Sequence, residues 1–300
     1  MSLKYKLILF CLAISILPLA VTAVVSMRQA GGILGEQAFA GLEAARDSRK
    51  QALEAAAATW LREAAILAKV KEVYNGVGML RDYFMLGKPG ARVETATDEY
   101  KDLRDYVAPP FAPFTEVLGF EDALVVADDG RVYYGAKGGR EVGEDLKEGP
   151  LKNSSLAAAW KGAMAGKIVF ADFAPYAPLG GQPAAFVAAP IKNHTGTMIE
   201  AAAILRVPRA ELARIMGQGE SQGTSREFLL IGADGAVRVR SETGREPAAD
   251  DGEAATKALG GETGNETSAS PDGGETLTAF TPVIFGDAAF ALLARTPASE

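Results

Sequence analysis

The sequence predicts an α+β fold in which a long N-terminal helix carries two tandem modules, each built on an antiparallel sheet. Three observations predict it. Apolar residues from Arg28 to Leu86 recur at helical spacing. Beyond Phe120, short β-rich runs are joined by turn-length links, which suit hairpins and not parallel crossovers. A strand, an Asp-Gly turn and a second strand occur at 126–133 and again at 227–241, about 105 residues later, and each copy leads into a helix-capable piece and further strand-like runs. The 300 residues suffice for one or two domains, and a hydrophobic fraction of 48% permits a sizeable core.

Residues 1–6 include Lys4 and Lys6, and the run from Leu7 to Met27 contains no charged residue. A run of about twenty apolar residues can cross a bilayer as a helix, and the flanking lysines place residues 1–6 in the cytoplasm. The rival reading is a cleaved signal peptide ending near Ala20-Val-Thr-Ala23, but the run exceeds an ordinary signal core. Residues 28–88 then form a spine helix, on the order of 90 Å long if unbroken. Its seam is Phe39, Leu42, Leu53, Ala56, Trp60, Ala64, Leu67, Tyr74 and Val77, interrupted by Arg46 and Arg49. Gly31, Gly32 and Gly35 weaken its start by about 1 kcal/mol each relative to Ala. The seam packs the helix on its own domain, and Ala55–Ala58 leave room for a second spine helix in a homodimer. Lys88-Pro89-Gly90 ends the spine, and a second helix over 94–106 stops before Pro109-Pro110.

The first module spans 89–210. Ala123–Ala127 and Val132–Gly135 form a hairpin about Asp128-Asp129-Gly130, a helix comes next from Leu156 to Met164, and strands come after it at 168–173, 184–190 and 201–207. The second module spans 211–296. A short helix at 209–216 and a linker at 217–223 lead into it, and its hairpin lies within 227–241. A helix-capable piece at 253–259, a turn at Pro271-Asp-Gly-Gly274 and strands at 277–285 and 288–295 complete it. Residues 297–300 are expected to lead toward a second membrane helix.

The runs Ala127-Asp-Asp-Gly-Arg-Val-Tyr133, Leu151-Lys-Asn-Ser-Ser-Leu156, Val169-Phe-Ala-Asp-Phe-Ala-Pro-Tyr176 and Pro183-Ala-Ala-Phe-Val-Ala-Ala-Pro190 resemble the membrane-distal module of a double Cache sensor. That resemblance implies two tandem PAS-like (Cache) modules on one spine. It also implies the extracytoplasmic region of a methyl-accepting chemotaxis protein, held in the inner membrane with most of the chain periplasmic. The expected ligand is a small polar or anionic metabolite, such as an organic acid. The sensor region of a histidine kinase or cyclic-dinucleotide enzyme would use the same ectodomain, and a membrane-tethered binding protein without output is the further alternative.

The formal charge of −7 argues against a nucleic-acid partner, which needs a basic face. The single cysteine, Cys11, allows no intrachain disulfide, and the single histidine, His194, provides no zinc cluster. His194 is expected at a solvent-facing hairpin tip. No nucleophile and base pair emerges, so no enzyme, metal or cofactor is expected. Asp128 and Asp129 suit a turn for backbone reasons.

In amino-acid-binding Cache sensors an Arg-x-Trp-Tyr segment holds the ligand carboxylate. This chain has Asn153-Ser154-Ser155-Leu156 at the matching place, which counts against that ligand type. Asp172 matches an aspartate that holds the amine; its alternative is a structural hydrogen bond near Tyr176. Arg206, on the last strand of the module, suits a carboxylate if it faces inward and is ordinary surface charge if it does not. Tyr133, Trp160, Phe173, Tyr176 and Phe186 are candidate walls of a pocket between the module's helix and its sheet, with Asn153 at its edge and core packing as the alternative for Trp160.

Overall fold

The helical periodicity of the N-terminal third belongs to two helices, α1 (Leu3–Leu67) and α2 (Lys71–Met85), in a computed structural model that describes residues 3–85, 95–218, 226–241, 252–269 and 274–298. Within 3–34 it describes the backbone, with the side chain of Thr22 alone. The other side chains of the expected membrane run at 7–27 therefore lie outside the described residues. Among the described residues no helix is long and apolar enough to cross a membrane. The Lys88-Pro89-Gly90 stop, most of the 217–223 linker and residues 271–273 of the expected turn also fall outside them.

The spine is not one rod to Lys88. Near Leu67 its hydrogen bonds tighten from i−4 to i−3, with Lys69 N donating to Ile66 O and Val70 N to Leu67 O, and the helix restarts at Lys71. At 1.5 Å per residue α1 is about 100 Å long. The expected return helix begins later than 94. It is α3 (Asp98–Val107), because Thr97 accepts from Tyr100 N and caps it. A short helix, α4 (Ala112–Glu116), comes after the proline pair.

The first sheet holds β1 (Asp122–Ala127), β2 (Val132–Gly135), β3 (Val169–Pro175), β4 (Pro183–Lys192) and β5 (Ile199–Arg206), in the order β2-β1-β5-β4-β3, with helix α5 (Ser155–Met164) between β2 and β3. Helix α6 (Arg209–Gly217) leads to the second sheet, made of β6 (Glu227–Ile231), β7 (Val237–Arg240), β8 (Gly264–Ala269), β9 (Glu275–Phe285) and β10 (Ala288–Pro297). Its order is β7-β6-β10-β9-β8, with α7 (Gly252–Leu259) between β7 and β8. Every pairing is antiparallel. Position by position the second sheet repeats the first. The repeated turns share one device: Asp129 accepts from Arg131 N and Asp234 from Ala236 N, with Gly130 at φ 91° and Gly235 at φ 78°.

One apolar core runs through both modules and the spine seam, from Leu42, Leu53, Trp60 and Leu67 to Phe285 and Phe290. The arginines expected to interrupt that seam are anchors instead. Arg46 is buried and donates to the carbonyls of Gly264 and Phe280 at 3.1 Å each, while Arg49 lies 4.0 Å over the Phe228 ring. Lys50 adds a 2.6 Å bond to Pro282 O. Polar seam positions thus hold the second sheet where its backbone carbonyls need donors.

Candidate functional site

Cross-strand register decides which polar residues of the first module share a space. Asp122 on β1 and Phe186 on β4 both lie opposite Arg206 on β5, so the three occupy one face of the sheet. Val169, opposite Ala188, belongs to the same face and fills the space where a Cβ on Gly162 of α5 would sit. The shared face is therefore the one that α5 covers. Ser154 caps α5 by accepting from Ala157 N, and Ser155 ties it to the sheet through a 2.8 Å bond to Ala184 O.

Five side chains, those of Glu121, Asp122, Glu141, Tyr176 and Arg206, converge at the Arg206 end of that face. Arg206 Nη1 lies 3.9 Å from Asp122 Oδ2 and 4.0 Å from Glu141 Oε1, and its Nε lies 3.2 Å from Glu121 Oε2. Asp122 Oδ1 accepts from the backbone N–H groups of Ala123 and Lys137, at 2.8 and 3.0 Å. Those bonds occupy one oxygen and leave Oδ2 with none. Among the described residues, Asp122 Oδ2, Glu141 Oε1, the Tyr176 hydroxyl and Arg206 Nε are all buried without a hydrogen-bond partner. The Tyr176 ring stands edge-on to Phe186 at 5.2 Å. Arg206 is 9% exposed and Tyr176 fully buried, so water gives these groups little relief.

The electrostatics result from that burial. Desolvation pushes the carboxyls of both Asp122 and Glu141 above the ordinary range; each is opposed by Arg206, and Asp122 further raises Glu141. Burial also pushes the Tyr176 phenol well above its usual range, with Glu141 adding to it, so Tyr176 stays a hydroxyl donor. One guanidinium serves Glu121, Asp122 and Glu141. The cluster thus holds three carboxylates to one cation, with Arg206 Nε and the Tyr176 hydroxyl as its unmet donors among the described residues.

The second module carries the same cross-strand pair in a closed form. Glu227 lies opposite Arg295, with Arg295 Nη2 2.5 Å from Glu227 Oε2, and Arg240 adds a 3.1 Å contact to the other oxygen.

Of the residues singled out from sequence, Arg206, Tyr176 and Phe186 come together here. The others do not. Asp172 sits at a bulge of β3 and forms a forked pair with Arg238 of the second module, at 3.0, 3.0 and 2.7 Å, so its carboxylate joins the modules. Phe173 lies 6.5 Å from Phe170, which in turn meets Phe285 and Phe290 of the second module. Tyr133 stacks on Phe84 of α2, and burial pushes its phenol up to about 12. Trp160 donates to Ala127 O at 2.8 Å inside the core, and Asn153 is exposed just before the cap of α5. Sequence reading missed Asp122 and Glu141. The one signal for Asp122 is its place eight residues before Gly130, which is the place of Glu227 before Gly235.

No protein-family model and no curated protein matches this sequence. Solved structures do. The sensor domain of the V. cholerae histidine kinase DctB is 13% identical with a TM-score of 0.58, covering 90% of this chain and 98% of that one. An extracellular ligand binding receptor from Desulfohalobium retbaense is 14% identical with a TM-score of 0.54; 84% of this chain is covered, and this chain spans 39% of that one. The ligand binding domain of the Pseudomonas aeruginosa amino acid chemoreceptor PctB, in complex with L-Arg, is 13% identical with a TM-score of 0.50, covering 87% and 94%. At such identities the likeness shows the fold alone, two tandem antiparallel modules on a long helix, which is the architecture that the double Cache resemblance implied.

Proposed function

We propose that this chain is the extracytoplasmic ligand-sensing region of a transmembrane receptor, of the chemotaxis or sensor-kinase type, and that it acts by binding and not by catalysis. The observation that carries this reading is the convergence of Asp122, Glu141, Tyr176 and Arg206 in the first module, with four buried polar atoms that have no hydrogen-bond partner among the described residues. Leaving such atoms unmet costs roughly 1–3 kcal/mol each, and a ligand that met them would recover that cost as affinity.

The surplus of carboxylates selects the ligand chemistry. An inward Arg206 by itself suggests an organic anion, but Glu121, Asp122 and Glu141 already surround it. A small polar metabolite that brings donors, above all an ammonium group, complements the cluster better. Tyr176 would donate to an oxygen on the same molecule. The segment between β2 and α5, which contains Glu141, covers the site and would move to admit it.

The rest of the reading concerns the membrane and the partner copy. The backbone of α1 is continuous from Leu3 to Leu67, so an anchor between Leu7 and Met27 would be collinear with the part that carries both modules. Ala55, Ala58 and Ile66 are exposed on that spine and offer a surface for a second copy. A ligand can bias signalling only by its difference in affinity for two spine arrangements.

The test is thermal unfolding of the full chain against panels of amino acids, diamines, polyols and organic acids, repeated with Glu141→Gln and Tyr176→Phe. Stabilisation by an amine-bearing compound, lost in both variants, is the expected result. Stabilisation that survives in both variants would remove this cluster from the site.

A further inference from the structure

The spine break at residues 68–70 opens a cleft of about 540 Å³ against the far end of the first module. It is separated from the Arg206 cluster by the run of β4 from Phe186 to Lys192, about 20 Å at the rise of a strand. Lys69 and Lys71 enter it from the spine and Lys192 from the end of β4. Tyr74 and His194 stand edge to face beside them, 4.4 Å between ring centroids. His194 thus belongs to a wall and does not simply cap the hairpin.

The charge of this cleft is one-sided. No carboxylate lines it, and none of its three lysines forms an ion pair among the described residues, although Lys50, Lys101, Lys167 and Lys257 all do. In a chain with a formal charge of −7, three unpaired ammonium groups around one cavity create a local positive field. Helix α2 begins at Lys71, so the positive end of its dipole adds to that field. The floor is apolar, with Ala68, Ile168 and Pro190 among its lining residues. The volume lies within the roughly 300–1,000 Å³ of small-molecule sites.

We propose that this cleft is a second binding site, for a monocarboxylate with an aromatic or aliphatic body. The carboxylate meets the lysine rim, and the body lies on the apolar floor beside the Tyr74 and His194 rings. A ligand here touches both halves of the broken spine and the β4–β5 hairpin. It therefore acts on the angle between α1 and α2, separately from the Arg206 cluster.

The chain offers its own probe, since His194 is its only histidine. The full chain, labelled with 13C-histidine and held in a nanodisc of zwitterionic lipid, is titrated with benzoate, octanoate and, as controls, inorganic phosphate and benzylamine. Benzoate or octanoate is expected to shift the His194 ring signals saturably, and benzylamine is not. The triple substitution Lys69→Gln, Lys71→Gln, Lys192→Gln should weaken binding by about tenfold or more while the unfolding transition is kept. The variants Glu141→Gln and Tyr176→Phe should leave the titration unchanged, so this site and the Arg206 cluster are tested apart. No saturable shift with either carboxylate, or a shift unchanged in the triple variant, overturns the site. An equal response to phosphate overturns the requirement for an apolar body.

Discussion

Asp122 and Arg206 stand directly opposite each other across β1 and β5, yet their charged atoms stop 3.9 Å apart. At the equivalent place in the second module Glu227 and Arg295 close to 2.5 Å. The carboxylate of Glu is one methylene longer, and Asp122 is also turned toward the Ala123 and Lys137 amides. The repeat thus supplies the same pair twice, and the wider of the two lies where Glu141 and Tyr176 gather.

Replacing Arg206 alone should be severe. Arg206→Met leaves Asp122 and Glu141 buried without a cation, and such a loss costs about 3–5 kcal/mol. Adding Asp122→Asn and Glu141→Gln should restore much of that stability, because the remaining groups are neutral. Urea unfolding of the single and triple variants checks both outcomes.

Stability should fall as pH rises through the lower acidic range on account of this cluster. Asp122 and Glu141 have folded-state pKa values above their unfolded ones, mainly through burial. Between the ordinary carboxylate value of about 4 and the raised folded values, the folded state holds more protons, so unfolding becomes easier with increasing pH. The double variant Asp122→Asn, Glu141→Gln should lose this slope. Unfolding free energies of both proteins across that window are the measurement.

Asp172→Asn should weaken the joint between modules and spare the ligand site. It removes the charge that Arg238 grips, at a cost of roughly 1–3 kcal/mol. Arg238 keeps its contact with Asp234 at 2.8 Å, which limits the loss. Thermal unfolding should shift down, while any ligand-induced shift should keep its size.

Arg46→Met should loosen the second sheet from the spine. The carbonyls of Gly264 and Phe280 lose a charged donor, again about 1–3 kcal/mol. Faster hydrogen exchange is expected along β8 and β9, with the first sheet unaffected.

Most of the fold was legible because its signals are local. Ala123–Ala127, Ala184–Pro190 and Phe228–Ile231 are dense in strand formers and bounded by turn residues, and Asp129-Gly130 and Asp234-Gly235 mark their turns. Where the sequence was silent, contacts made at long range explain it. Strand β8 has the residues Gly-Asn-Glu-Thr-Ser-Ala and alternates between exposed and half-buried, so it carries no apolar period and exists through its ladder with β9. The spine break lies in Ala-Lys-Val, which continues the helical pattern without Gly or Pro. Asp172 looked like a ligand contact because its partner, Arg238, lies 66 residues away.

From its residues alone the chain determined the helical spine, the paired hairpins, their tandem repetition and an acidic surface, since each rests on spacing, turn chemistry or composition. Only the tertiary structure decided which charges meet. Asp122, Glu141, Tyr176 and Arg206 come from four separate segments, and their proximity depends on sheet register and on a covering loop. The same holds for Arg46, which interrupts a pattern in one dimension and satisfies buried carbonyls in three. A polar residue's role is set by what surrounds it after folding, because burial and partners, and not identity, determine the energy of its charge.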